Sequence, residues 1–397
     1  MAIGSPFDAR AQQLNVKRQW RVWAGRFSSS AYTPGLEIEY NAIRHAAALI
    51  DISPLHSYRV SGPDAARLVD RVITRDATRI APGQVIYTPW CDEGGAVVDD
   101  GTVAHLDDGS FRWTAADPQL RWLRLHARRL DVTIQETSET LAALAVQGPL
   151  SRAVLEAASG TDLAGLRPFR RRAMEIAGVQ VDVSRTGYTG DLGYELWVDA
   201  ASALPLWDAL MASGAAYALR PAGIWALDVA RLEAGLIMLD VDYTAATHAA
   251  TRDQRWSPYE LGLGRFVELD KPVAFTGRSA LLRERDAGGP PRRLVGLVLD
   301  WTDLERLSAR AGLTPSVSPQ AWRDHVPVFA AGRQVGTATS GTWSPSLKQL
   351  IALATVEAAF ETPGTPLSLD WTVEGRPGRL GAMVVPLPFL DLPRRRA

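Results

Sequence analysis

DAGGPPRRLVGLVLD, residues 286–300, divides this chain. Gly288, Gly289, Pro290 and Pro291 resist both helix and central strand, because glycine loses the most entropy on ordering and proline lacks a ladder N–H. They predict a linker starting at Asp286. Beyond it, LVGLVLD (294–300), VPVFAAGRQVGTAT (326–339), LIALATVE (350–357) and GAMVVPL (381–387) are short, aliphatic and separated by turn residues. With little helical signal among them, they predict a small all-β domain of barrel or sandwich type. Helical and strand-like segments mix before the linker, so the fold class is α+β.

Three helices are predicted in the body. SGPDAARLVDRVI (61–73) offers Ser61 as a cap, Pro63 in the first turn, and Leu68, Val69, Val72 and Ile73 on one face. QGPLSRAVLEAAS (147–159) repeats the design, with Leu150, Val154 and Ala157 along a stripe. WALDVARLEAGLIM (225–238) is the third. VQVDVS (179–184) alternates as a strand, and YELWVD (194–199) returns antiparallel to it after a glycine-rich connection. The terminal LPRRRA reads as a solvated, frayed tail.

The chain has 397 residues, 46% of them hydrophobic and 22% charged, so two or three soluble domains are expected. A net charge of -1 recruits neither nucleic acid nor an anionic membrane surface. Cys91 is the single cysteine, which rules out an internal disulfide and argues against a cysteine-based zinc site. No signal core or bilayer-spanning run is visible, and a cytoplasmic location is expected. The six histidines show no HxxxH or HExxH spacing, and no metal site is expected. His56 reads as structural or exposed.

Two segments could carry chemistry. In VIYTPWCDEGGAVVDDG (85–101), Gly94-Gly95 joins two strand-like arms, the second ending in Asp99 and Asp100. Adjacent strand residues point to opposite faces, so one carboxylate can enter a cleft while the other serves the turn or solvent. Taken alone, such a pair before a glycine reads as turn chemistry rather than catalysis. In SRTGYTGDLGYEL (184–196), Gly187, Gly190 and Gly193 loosen a loop that holds Tyr188 near its apex and Glu195 on its returning arm. The spacing matches neither a dinucleotide fingerprint nor a phosphate loop.

Seven segments, in order, resemble the glycine-cleavage T-protein (aminomethyltransferase) family: DISPLHSYRVSGPDA, IYTPWCDEGGAVVDD, LAVQGP, SRTGYTGDLGYEL, DVARLEAGL, PYELGLGRFVELDKPVAFTGR and VGTATSGTWSPSLKQLIALA. The resemblance covers most of the chain. It implies a three-domain cloverleaf of two interleaved α/β domains and a C-terminal β-barrel around a central folate site. The corresponding divisions are residues 1–54 and 143–243, residues 55–142 and 244–283, and residues 284–397. It also implies tetrahydrofolate as cofactor, Asp100 as the catalytic carboxylate, and Tyr87, Tyr188 and Glu195 as pterin-site residues.

Departures from the family pattern shape the functional expectation. Pro54-Leu55 replaces a His-Met pair, Thr114 stands near the position of a pocket asparagine, and Leu227 replaces an arginine that holds the glutamate tail of folate. Arg231, one helical turn later, is expected to take over that contact. The expected activity is one-carbon transfer to tetrahydrofolate by a specialised relative, such as a demethylase of a small methyl donor. Two alternatives stand beside it. One is a glycine-cleavage aminomethyltransferase served by a lipoylated carrier protein. The other is a non-catalytic folate-binding or assembly protein, whose characteristic loop cysteine is missing from RTGYTGDLGYE.

Overall fold

The structure, a computed structural model, describes residues 2–396. A six-stranded sheet runs in the order Arg171–Ile176, Val179–Ser184, Gly193–Asp199, Leu141–Gln147, Ala47–Asp51, Leu219–Pro221. Between its strands Ala47–Asp51 and Leu141–Gln147 the chain departs to build a five-stranded antiparallel sheet. That sheet runs Val85–Cys91, Val97–His105, Phe111–Ala115, His56–Ser61, Thr133–Glu136. A three-stranded sheet of Ile3–Gly4, Arg26–Ala31 and Gln19–Trp23 lies near the N-terminus. Residues 244–283 return to the five-stranded sheet, where Leu261, Phe275 and Leu281 pack with Cys91 and Val97.

Past the glycine–proline segment, the barrel closes as Arg292–Leu299, Gln349–Glu357, Arg333–Ser344, Val326–Ala330, Pro366–Val373, Arg376–Val385. Closure leaves no open edge, and alternate residues such as Leu297, Val328, Leu369 and Leu380 fill the interior. A helix, Trp301–Arg310, interrupts the strands, contrary to the all-β reading. Its start is set by Asp300, whose carboxylate accepts from the backbone N–H of Thr302 at 2.8 Å and of Asp303 at 3.3 Å.

The helix Ala65–Val72 buries Leu68, Val69 and Val72, with Ile73 just beyond it. It begins at Asp64 rather than Ser61, because Gly62 takes a positive φ of 108° and brings the backbone onto the carbonyl of Asp131. The Asp64 carboxylate is spent on the Asp131 N–H at 2.9 Å, not on the helix end. In Ser151–Ser159 the buried pair is Val154 and Leu155, while Leu150 and Ala157 are exposed.

The helix Ile224–Glu233 is buried on nearly every side, with only Trp225 partly exposed. Glu233 at its end and Asp242 in the segment beyond it tie the layers together. Glu233 accepts from Tyr40 at 2.6 Å, Arg44 at 2.7 Å and Ser344 of the barrel at 2.5 Å. Asp242 accepts from Arg231 at 2.5 Å and from the barrel hydroxyls of Thr339 at 2.7 Å and Ser340 at 2.5 Å. Buried charges persist only when so paired. The tail is docked, not frayed: Arg394 grips Asp191 at 2.7 and 2.8 Å and the Arg44 carbonyl at 2.8 Å. Ala397, which ends LPRRRA, lies outside the described residues.

Candidate active site

The hairpin of Val85–Cys91 and Val97–His105 carries the central carboxylate. Its turn is held by Asp92, whose side chain accepts from the N–H of Gly94 at 3.0 Å and of Ala96 at 3.1 Å, with Gly95 at φ 80°. The two aspartates part as strand alternation demands. Asp99 is fully buried and accepts from the Asp100 N–H at 2.7 Å, the Asp117 N–H at 3.0 Å and Gln119 Nε2 at 3.2 Å. It fixes the backbone that presents its neighbour. Asp100 is partly exposed.

Asp100 is held by two phenols. Tyr87, across the hairpin, donates to Oδ2 at 2.7 Å, and Tyr243 donates to Oδ1. Burial, and then the charge of Asp100, push both phenols well above their ordinary pKa, so they stay protonated and donate. Burial also raises the pKa of Asp100 itself, and the two phenol hydrogen bonds oppose that rise without cancelling it. Asp99 is raised well above the carboxylate range by burial and by the neighbouring Asp100. Gly101 is required here: a Cβ would stand 2.0 Å from the Thr114 carbonyl oxygen. Thr114 is buried and shares its hydroxyl with Thr102 at 2.6 Å.

The glycine-rich loop lies between the paired strands Val179–Ser184 and Gly193–Asp199. Gly187 and Gly193 both lie against the Gln147 side chain, where a Cβ would fall 2.1 and 2.2 Å from its Oε1. That packing settles the loop. Tyr188 is partly exposed, packs beside Leu55 and Leu227, and donates its hydroxyl to the Ile237 carbonyl. Burial raises its pKa, and Asp100 is among the charges acting on it. Glu195 is partly exposed; Oε2 accepts from Thr186 at 2.8 Å, while Oε1 has no partner among the described residues. Burial raises its pKa against the pull of Thr186 and Arg112.

Arg231 lies in a buried ion-pair network: its side chain is 0% exposed and held by Asp228 at 2.8 Å and Asp242 at 2.5 Å, while Nη2 has no hydrogen-bond partner among the described residues. Leu227 and Leu55 join Ile52, Trp23 and Trp225 in an apolar cluster next to Tyr188. His56 is half-buried with Nδ1 unpartnered among the described residues, and burial lowers its pKa. Tyr243 was not visible as a site residue in the sequence. It sits in an irregular segment, and only the long-range pairing with Asp100 reveals it.

Comparison with known proteins matches this architecture. Residues 8–271 fit the family model for the GCVT N-terminal domain, and residues 292–391 fit that for the glycine cleavage T-protein C-terminal barrel domain. The chain belongs to the glycine cleavage T-protein family. An aminomethyltransferase of Moorella thermoacetica is 37% identical over 90% of this chain and 90% of its own length. One from Geobacillus thermodenitrificans is 36% identical over 88% of this chain and 89% of its own length. A trimethylamine-oxide aldolase of Ruegeria pomeroyi is 35% identical over 92% of this chain, which corresponds to 44% of that longer protein. The crystal structure of the glycine cleavage system aminomethyltransferase T from Bartonella henselae superposes with a TM-score of 0.81 at 24% identity, covering 97% of both chains. The chain is therefore a one-carbon group transferase by family, with the family's fold.

Proposed function

We propose that this enzyme moves a one-carbon group from a small methylated donor to tetrahydrofolate, with Asp100 as its catalytic carboxylate. The observation that carries the reading is the Asp100 cradle: a partly exposed carboxylate, both oxygens oriented by phenols, in a burial that raises its pKa. Each oxygen keeps a second lone pair for a ligand N–H. Glu195, with Oε1 unpartnered, suits the donor edge of a pterin, and Tyr87 and Tyr188 offer ring faces and fixed hydroxyls. These residues fit tetrahydrofolate, which supplies the nucleophilic ring nitrogen when bound.

The chain's own part follows from its electrostatics. Asp100 orients the ligand, accepts the proton shed at the reacting nitrogen and offsets developing positive charge. Tyr87 and Tyr243 hold its two oxygens, so it needs little reorganisation as charge develops. Asp99 anchors the backbone beneath. The apolar Leu55, Leu227 and Trp225 exclude water and strengthen each polar contact.

The small-donor reading rests on Leu55 and Leu227, which depart from the T-protein pattern, and on the likeness to the Ruegeria trimethylamine-oxide aldolase. A second reading, aminomethyl transfer from a lipoylated carrier protein, is favoured by the identity with named aminomethyltransferases. One experiment separates them. Tetrahydrofolate is titrated into the protein, and the complex is incubated with O-, S- and N-methylated metabolites or with aminomethyl-loaded carrier. Folate products are then identified by mass spectrometry. Methyl-folate from a free metabolite supports the small-donor reading, and product from the loaded carrier alone overturns it.

A further inference from the structure

A cavity of about 670 Å³ lies at the end of the barrel where the strand Arg292–Leu299 gives way to the helix Trp301–Arg310. The helix and residues 311–325 lie over this end: Leu304 is buried in the barrel core, and Leu307, Val317 and Trp322 pack against it. Three indoles line the cavity, those of Trp322, Trp343 and Trp371. Trp322 is seated by its backbone, which exchanges hydrogen bonds with Gly341 at 2.8 and 3.1 Å. Its ring lies against Gly341, where a Cβ would fall 2.3 Å from Cζ2. Trp343 leans on Trp301, with ring centroids 5.2 Å apart. Trp371 stands on the strand Pro366–Val373.

All three rings stay partly exposed, whereas Trp90, Trp113 and Trp207 are sealed in cores. The fixed charges on the same cavity have one sign. Asp324, Asp370 and Glu374 line it, and no lysine or arginine does; His325 is the remaining titratable group of the lining. Asp370 is answered from outside the lining by Arg379 at 3.0 Å. Asp324 and Glu374 are exposed, and their side chains make no hydrogen bond or ion pair among the described residues. Indole faces attract cations, most strongly those that give up little hydration. A methylated ammonium fits that description: its methyl groups pack on the rings, and its charge suits the unanswered carboxylates. None of the lining residues belongs to the Asp100 hairpin, the glycine-rich loop or the cluster of Leu55 and Leu227.

We propose that this cavity binds a small methylated ammonium ion, with its methyl groups against the tryptophan rings and its charge met by Asp324 and Glu374. The site is separate from the one around Asp100, and the inference does not rest on the folate reading.

Calorimetric titration with choline and with its neutral carbon isostere, dimethylbutanol, tests this in wild type, Asp324→Asn, Glu374→Gln, Trp371→Leu and Asp100→Asn. Asp324→Asn and Glu374→Gln break no native hydrogen bond, so unchanged melting temperatures are expected. Wild type should bind choline at least about tenfold tighter than the isostere, because only choline carries the charge. Each carboxylate variant should weaken choline about threefold and leave the isostere unchanged, and Trp371→Leu should weaken choline about tenfold. Asp100→Asn should bind choline as wild type does. Choline bound no tighter than the isostere, or bound equally by wild type and both carboxylate variants, overturns the proposal. Choline binding lost in Asp100→Asn but kept in the cavity variants also overturns it, by placing the ion in the central site.

Discussion

Tyr243→Phe removes one hydroxyl from the Asp100 cradle and nothing else. Tyr243 is 2% exposed, so a phenylalanine ring keeps the packing, while Oδ1 loses its only donor among the described residues. A hydrogen bond to a charged acceptor contributes about 1.5–3 kcal/mol, and one pH unit of proton affinity corresponds to roughly 1.4 kcal/mol. The sign follows from which form the phenol stabilises. It donates to the carboxylate, so its loss favours protonated Asp100 and raises an already elevated pKa. A reaction that needs ionised Asp100 loses rate as pH falls through that pKa. The acid limb of kcat/KM should therefore move to higher pH by about 1–2 units, with the plateau rate largely kept at alkaline pH. Tyr87→Phe should do the same through Oδ2. A pH–rate profile from acid to alkaline, with melting temperatures across the same range, makes the measurement. An acid limb that stays put, or moves to lower pH, refutes the assignment of that limb to Asp100.

Glu195→Ala should weaken tetrahydrofolate binding about tenfold or more by calorimetry, since a partly exposed carboxylate with one free oxygen is lost; unchanged affinity means that Glu195 does not contact the pterin. Arg231→Met should cost about 3–5 kcal/mol of stability in urea, because it leaves Asp242 and Asp228 short of a buried partner. A cost below about 1 kcal/mol would show that the ion pair does not support the fold. Gly101→Ala should destabilise by roughly 1–3 kcal/mol and depress turnover, because its Cβ meets a backbone carbonyl at 2.0 Å and the strand carrying Asp100 must shift. Wild-type turnover in that variant would mean the strand can move without disturbing the site.

The barrel was legible because alternation and turn residues are local signals, and both survive in 292–385. The helix Trp301–Arg310 was missed although Asp300 caps it, because its short amphipathic stripe lies between two strong strand signals. The helix Ala65–Val72 was recognised but its start was misplaced, since Asp64 is drawn to Asp131 across the chain. The same limit governs the site. Tyr87, Asp100, Tyr188 and Glu195 stand in motifs that can be read in order, and Tyr87 and Asp100 meet across one hairpin. Arg231 lay on the expected helix, yet its burial between Asp228 and Asp242 depends on a loop and on barrel hydroxyls. Tyr243 depends on a contact between distant segments, which no periodicity encodes.

The central claim is that Asp100 carries the chemistry, and Asp100→Asn tests it most directly. Asparagine keeps the shape and one acceptor oxygen but cannot take a proton at neutral pH. Single-turnover folate product formation with a competent donor should fall by about two orders of magnitude or more, while tetrahydrofolate still binds within about tenfold of wild type. Turnover near the wild-type rate in a folate-binding Asp100→Asn protein would contradict the account.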